Sequence, residues 1–215
     1  MRSLVVFLVS VLAFGSAAAQ AQPAVDAAFV NAAQMFQRAL NGEKSEVATA
    51  ISAFQALVAA DQKNPLYEAY LGSASSLRGR DAWMPWNKMS YTEDGLDHID
   101  RALAMLKPEH DKQLTRGSPV GIETRLVAAN AFLKVPDAFF HRAAAGRRLI
   151  ADILKNPAFA GSPATLRASV YLLAADAVKG SQVGEEISHL KQALALAGTG
   201  KQAEQARARL KELGQ

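Results

Sequence analysis

VATAISAFQALVAADQKNPLYEAYLGSASSLRG, residues 47–79, decides the fold. Its apolar residues Val47, Ala50, Ile51, Phe54, Leu57 and Val58 recur three and four apart, which gathers them on one stripe of an α-helix. Asn64-Pro65 ends that helix and opens the next: Asn caps well, and Pro lacks only a donor that a first turn does not use. The second helix is rich in small residues around Leu71-Gly72. Helices joined by so short a turn pack back to back as a hairpin, and a glycine at the crossing lets their backbones approach.

The same pattern runs through the rest of the chain. Leu96, Ile99, Leu103 and Leu106 form a second stripe, Ile187, Leu190 and Leu194 a third, and Ala203, Ala206, Leu210 and Leu213 a fourth. Breakers such as Lys107-Pro108, Gly117-Ser118-Pro119, Val135-Pro136, Asn156-Pro157, Gly161-Ser162-Pro163 and Gly198-Thr199-Gly200 separate them. No stretch alternates as a half-buried strand would. The spacing predicts an all-α protein of about nine helices, with an extra turn around Trp83.

The hairpins repeat, and in this the chain resembles the tetratricopeptide repeat (TPR) family, whose 34-residue unit favours Leu-Gly at its seventh and eighth positions. Counting from Pro65 sets Leu71-Gly72 there, and counting from Arg167 sets Leu173-Ala174 there, with Leu190, Ala193 and Leu194 at the apolar positions of the second helix. Ala50, Ile51, Phe54, Leu57, Val58 and Asp61 fit the second helix of an earlier unit. The match is strong over 47–79 and 163–197 and weaker elsewhere. Glu186 stands where the family prefers Ala, and the third pair, about 118–156, fits more than one register. The resemblance implies a right-handed α-solenoid of about four hairpins over 24–214, ended by a capping helix at 199–213 whose Lys201, Arg207, Arg209 and Lys211 face water. A plain helical bundle would show the same stripes without that stacking.

Composition sets the broad limits. The chain has 215 residues, half of them hydrophobic and 20% charged, the profile of a globular protein. With no cysteine, it has no disulfide framework, thiolate metal site, thiol nucleophile or lipid-anchor residue. Arg2 is the one charge before Asp26, Leu4 to Phe14 is nearly all apolar, and small residues follow. These are the parts of a secretory signal peptide over 1–19, cleaved after Ala19 or Ala21, so the mature protein is expected in the periplasm or outside the cell without stable membrane insertion. Residues 20–110 carry 8 basic and 11 acidic groups and residues 111–215 carry 15 and 9, an acidic front and a basic back. A net charge of +4, or +3 once residues 1–19 with Arg2 are removed, gives an exported chain no nucleic-acid signature.

One segment breaks the repeat. In the second hairpin the family spacing sets the second helix to begin its stripe at residue 84, yet the stripe begins at Gly95, eleven residues on. The inserted residues 81–92, DAWMPWNKMSYT, hold both tryptophans of the protein. Trp83, Trp86 and Tyr91, with Asn87 and Lys88 for polar orientation, form either a partner-binding surface or, with Met84 and Met89, a plug filling a gap between helix pairs. The groove positions of peptide-binding TPR proteins correspond here to Leu66, Ala69, Ser73, Ser76 and Leu77, and to Ala168, Tyr171, Ala175, Val178 and Lys179. Only Lys179 suits a carboxylate clamp, and Tyr171 is the one aromatic among them.

No P-loop, G-x-S-x-G, H-E-x-x-H or dinucleotide glycine fingerprint occurs, so no catalytic residue, metal ligand or cofactor is assigned. Asp94 and His98 are four apart and share a helix face; with Asp97 they read either as a metal face or as a solvated acidic helix start. Phe139-Phe140 after Pro136 reads as a helix start that sends one Phe inward, and Arg147-Arg148 as a solvated face. The expected function is a non-catalytic exported scaffold or adaptor binding a protein or peptide in the cell envelope. The alternative is a small-molecule binder whose pocket the Trp-rich insertion closes.

Overall fold

The computed structural model describes the backbone of residues 17–215 and the side chains of residues 27–215. The segment read as a signal peptide lies outside the described residues, apart from the backbone of its last three. Eleven α-helices follow in order: α1 (Ala17–Leu40), α2 (Ser45–Ala60), α3 (Pro65–Asp81), α4 (Pro85–Ala104), α5 (Val120–Lys134), α6 (Asp137–Phe140), α7 (Ala143–Lys155), α8 (Pro157–Ala160), α9 (Ala164–Val178), α10 (Val183–Ala197) and α11 (Lys201–Glu212). The described part is all-α but for a two-residue antiparallel pair, β1 (Leu114–Thr115) and β2 (Ser118–Pro119). The count exceeds nine because the single turns α6 and α8 form at Pro136 and Pro157.

Four helix pairs pack face to face: α1 with α2, α3 with α4, α5 with α7, and α9 with α10, while α11 lies on α10. The first helices of successive pairs also touch, α1 with α3, α3 with α5, and α5 with α9. Among the described residues Phe29 is the first side chain that α1 buries.

Local sequence explains the helix boundaries. Asn64 caps α3 by accepting the Leu66 N–H at 3.1 Å, and Asn156 caps α8 by accepting that of Ala158 at 2.9 Å. The α3–α4 pair is closest at the small residues. A Cβ on Gly72 would sit 2.5 Å from the Gly95 carbonyl oxygen, and one on Gly79 would sit 2.8 Å from that of Lys88. The expected close crossing at Gly72 is therefore present, with Gly79 and Gly95 extending it along the seam.

Aromatic stacking carries the first core. Tyr70 of α3 stacks on Phe54 at 5.1 Å and meets Phe29 and Phe36 edge-on. Its hydroxyl donates to the buried Glu123 of α5 at 2.8 Å. Arg116 donates to the same Glu123 oxygen at 2.8 Å and lies over the Phe29 ring at 4.5 Å. Arg116 and Gly117 form the two-residue turn between β1 and β2, both at positive φ (52° and 77°). Such a turn demands that geometry, and an arginine accepts it here while its side chain makes these two contacts.

The last helix does not present its whole basic row to water. Lys201, Arg207 and Lys211 are exposed, but Arg209 turns in and donates to Glu186 at 2.6 Å. Glu186 is 1% exposed, and the Arg209 hydrogen bond holds its carboxyl below the usual range. The buried acid of α10 thus has its own cation from α11.

Candidate functional site

The residues 81–92 form no loop. Asp81 ends α3, three residues turn the corner, and Pro85 to Thr92 make the first two turns of α4, so most of this segment belongs to the second helix of the pair. As a result Asp94 and Asp97 lie in the middle of α4 rather than at an acidic helix start. His98 faces Glu68, its Nδ1 2.8 Å from the carboxylate, instead of joining Asp94. Among the described residues no group of three His, Asp or Glu side chains is placed to hold a metal ion.

The aromatic residues of this segment diverge. Trp83 is 88% exposed and Trp86 is 65% exposed, so neither plugs a gap between helix pairs. Tyr91 lies on another side of α4, under the Arg78 guanidinium at 4.0 Å, and borders a polar cleft of about 230 Å³ with Asp94, Asp97, His98 and Arg101. Lys88 faces a second, apolar cleft. Asn87 is half-buried and lines neither. Tyr171 belongs to the core of the fourth pair, between Phe159 at 5.6 Å and His189 at 6.0 Å, and burial lowers the pKa of His189. Lys179 is exposed at the end of α9. The structure therefore does not bring Tyr171 and Lys179 together with the tryptophans in one site.

The apolar cleft, about 550 Å³, is the built feature of this region. Its floor is α3 (Ser73, Ser76, Leu77) and the start of α4 (Met89, Thr92). Its far wall is α5 (Asn130, Ala131), and Val135, Pro136, Phe139 and Phe140 form its lip. The lip is shaped locally. Pro136 starts the single turn α6, His141 ends it at φ 53°, and the Asp137 carboxylate accepts the Ala143 N–H at 2.8 Å to cap α7. This reversal packs Phe140 against the core beside Phe132 and leaves Phe139 67% exposed. Arg142 fastens α7 to α4 through Asp100 at 2.6 Å.

Three side chains lining the cleft are ionic, and all are cations: Arg80, Lys88 and Lys134. Arg80 makes two hydrogen bonds to Asp81, at 2.7 and 2.8 Å, which lower the Asp81 pKa and keep the pair charged, and a third to the Ala39 carbonyl. Lys134 pairs with Asp176 at 2.7 Å. The Lys88 ammonium makes no ion pair or hydrogen bond among the described residues. The contribution of Asn130 and Lys134 had no signal in the sequence, since the register of the third pair fits more than one alignment; Phe139 had one, its place after Pro136. Arg147 and Arg148 are solvated.

Comparison with protein-family models, with curated protein sequences and with solved structures finds no match for this chain.

Proposed function

We propose that this chain is a non-catalytic TPR-like α-solenoid, exported to the cell envelope, that binds a protein or peptide partner there. The touching first helices of successive pairs and the Gly72 crossing support the solenoid, and the basic tip and apolar run before Ala19 support export. Among the described residues no helix is long and apolar enough to cross a membrane. The observation that carries the binding reading is the outward face of Trp83 and Trp86, with Met84 beside them and Phe139 exposed on the cleft lip. Exposed aromatics contribute nothing to the core, and such side chains anchor protein interfaces.

In-cell photo-crosslinking from position 83, compared with position 147, tests it. One dominant envelope protein captured from 83 alone, and lost in Trp86→Ala without a change in melting temperature, is the expected result. Equal capture from both positions, or none from a folded and exported chain, refutes the partner surface. The size of the apolar cleft favours a second reading, a small-molecule binder, since ligand pockets run from ~300 to ~1,000 Å³. In that reading α6, rather than the tryptophans, forms the lip.

A further inference from the structure

We propose that the apolar cleft holds a single-chain amphiphile: one unbranched hydrocarbon chain bearing one anionic headgroup, with the head at Lys88. This rests on the small-ligand reading of the cleft.

Charge sets the sign of the head. No carboxylate lines the cleft, while Arg80 and Lys134 are already neutralised by Asp81 and Asp176. That leaves the Lys88 ammonium as the one lining cation without an ionic partner among the described residues. One unpaired cation bordering an apolar chamber favours a monoanion, gives nothing to a neutral head and repels a cation.

The lining sets the nature of the body. Leu77, Met89, Val135 and Phe139 supply apolar walls, and Met adapts to irregular shapes. Two of the three floor hydroxyls are engaged, Ser76 donating to the Gly72 carbonyl at 3.0 Å and Thr92 to that of Lys88 at 2.7 Å, which leaves Ser73 and Asn130 as the uncharged polar side chains open to a ligand. A sugar or an extended peptide would bring more polar groups than Ser73, Asn130 and Lys88 can satisfy, and each one left buried without a partner costs free energy. A hydrocarbon chain brings none.

Displacement of a neutral apolar dye, Nile red, from the processed protein tests the proposal with dodecanoate, dodecanol and dodecyltrimethylammonium below their micelle concentrations. Dodecanoate should displace the dye at one per chain, about tenfold more tightly than dodecanol, with the cation weakest. Lys88→Ala should erase the preference, and Lys88→Arg should restore it. Phe139→Ala, at an exposed position that leaves the fold intact, should weaken all three alike. If dodecanol or the cation binds as tightly as dodecanoate, the head assignment is overturned while the cleft stands as a ligand site. If the dye binds and no chain displaces it, or the dye fails to bind, the small-ligand reading itself falls. Co-sedimentation with phosphatidylglycerol vesicles without binding of monomeric dodecanoate also overturns the proposal, by assigning Trp83 and Trp86 to a bilayer surface.

Discussion

Replacing Gly72 by Ala tests the seam on which the second helix pair depends. The new Cβ would lie 2.5 Å from the Gly95 carbonyl oxygen and 2.8 Å from both His98 Cβ and Ile99 Cγ1. Two of those atoms belong to, or are fixed by, the α4 backbone, so rotating a side chain cannot relieve the overlap. Overpacking of this kind costs about 1–3 kcal/mol, and here the upper end applies because Gly79 and Gly95 hold the same seam closed. Ala returns about 1 kcal/mol through its helix propensity. The net loss is about 2 kcal/mol, or about 4–8 °C in melting temperature for a chain of this size. Gly184→Ala is the matched control. It lies in α10 with nothing within 4 Å of its would-be Cβ and without positive φ, so it should gain about 0.5–1 kcal/mol. Circular dichroism during urea and thermal unfolding of the processed protein reads both. A Gly72→Ala variant as stable as the parent would refute the close-seam argument.

Three further outcomes follow from buried polar and charged groups. Glu186 is held below the ordinary carboxyl value of 4.5, so its pairing with Arg209 stabilises the fold above that pH and the stabilisation is lost as pH falls through the lowered value; acid unfolding should be shallower for Glu186→Gln. Glu123→Ala should cost about 3 kcal/mol in urea unfolding, because it leaves the Tyr70 hydroxyl buried without an acceptor and opens a void between α3 and α5. Burial, reinforced by Glu123, keeps Tyr70 un-ionised well above pH 10, which ultraviolet titration of the parent would show as tyrosine absorbance that resists ionisation and is released in Glu123→Ala.

Periodicity made the helices legible, because a stripe such as Val47, Ala50, Phe54 and Leu57 has one helical solution, and all four are buried. Gly72 was legible for a similar reason: a glycine in the middle of a helix implies close approach. The conformation of residues 81–92 was not legible, because repeat spacing counts residues without fixing their dihedrals; Pro85 at a first helical turn lets those that follow join α4. The cleft lay beyond one-dimensional reading, since Leu77, Lys88, Asn130 and Phe139 come from four elements and meet only after the second and third pairs pack. Likewise the Glu186–Arg209 pair spans 23 residues and has no local signature.

The Arg116 turn has a consequence for how the molecule comes apart. A row of units that touch only their neighbours unravels from an end, each unit at its own free energy. Arg116 sits between the second and third pairs, yet its guanidinium rests on Phe29 of the first while its charge is held by Glu123 of the third. Detaching α1 would bare that guanidinium face and strip Phe29 from Tyr70, which also serves Glu123. Opening the N-terminal end therefore breaks contacts in the middle of the chain, so the first three pairs are expected to melt together rather than by fraying.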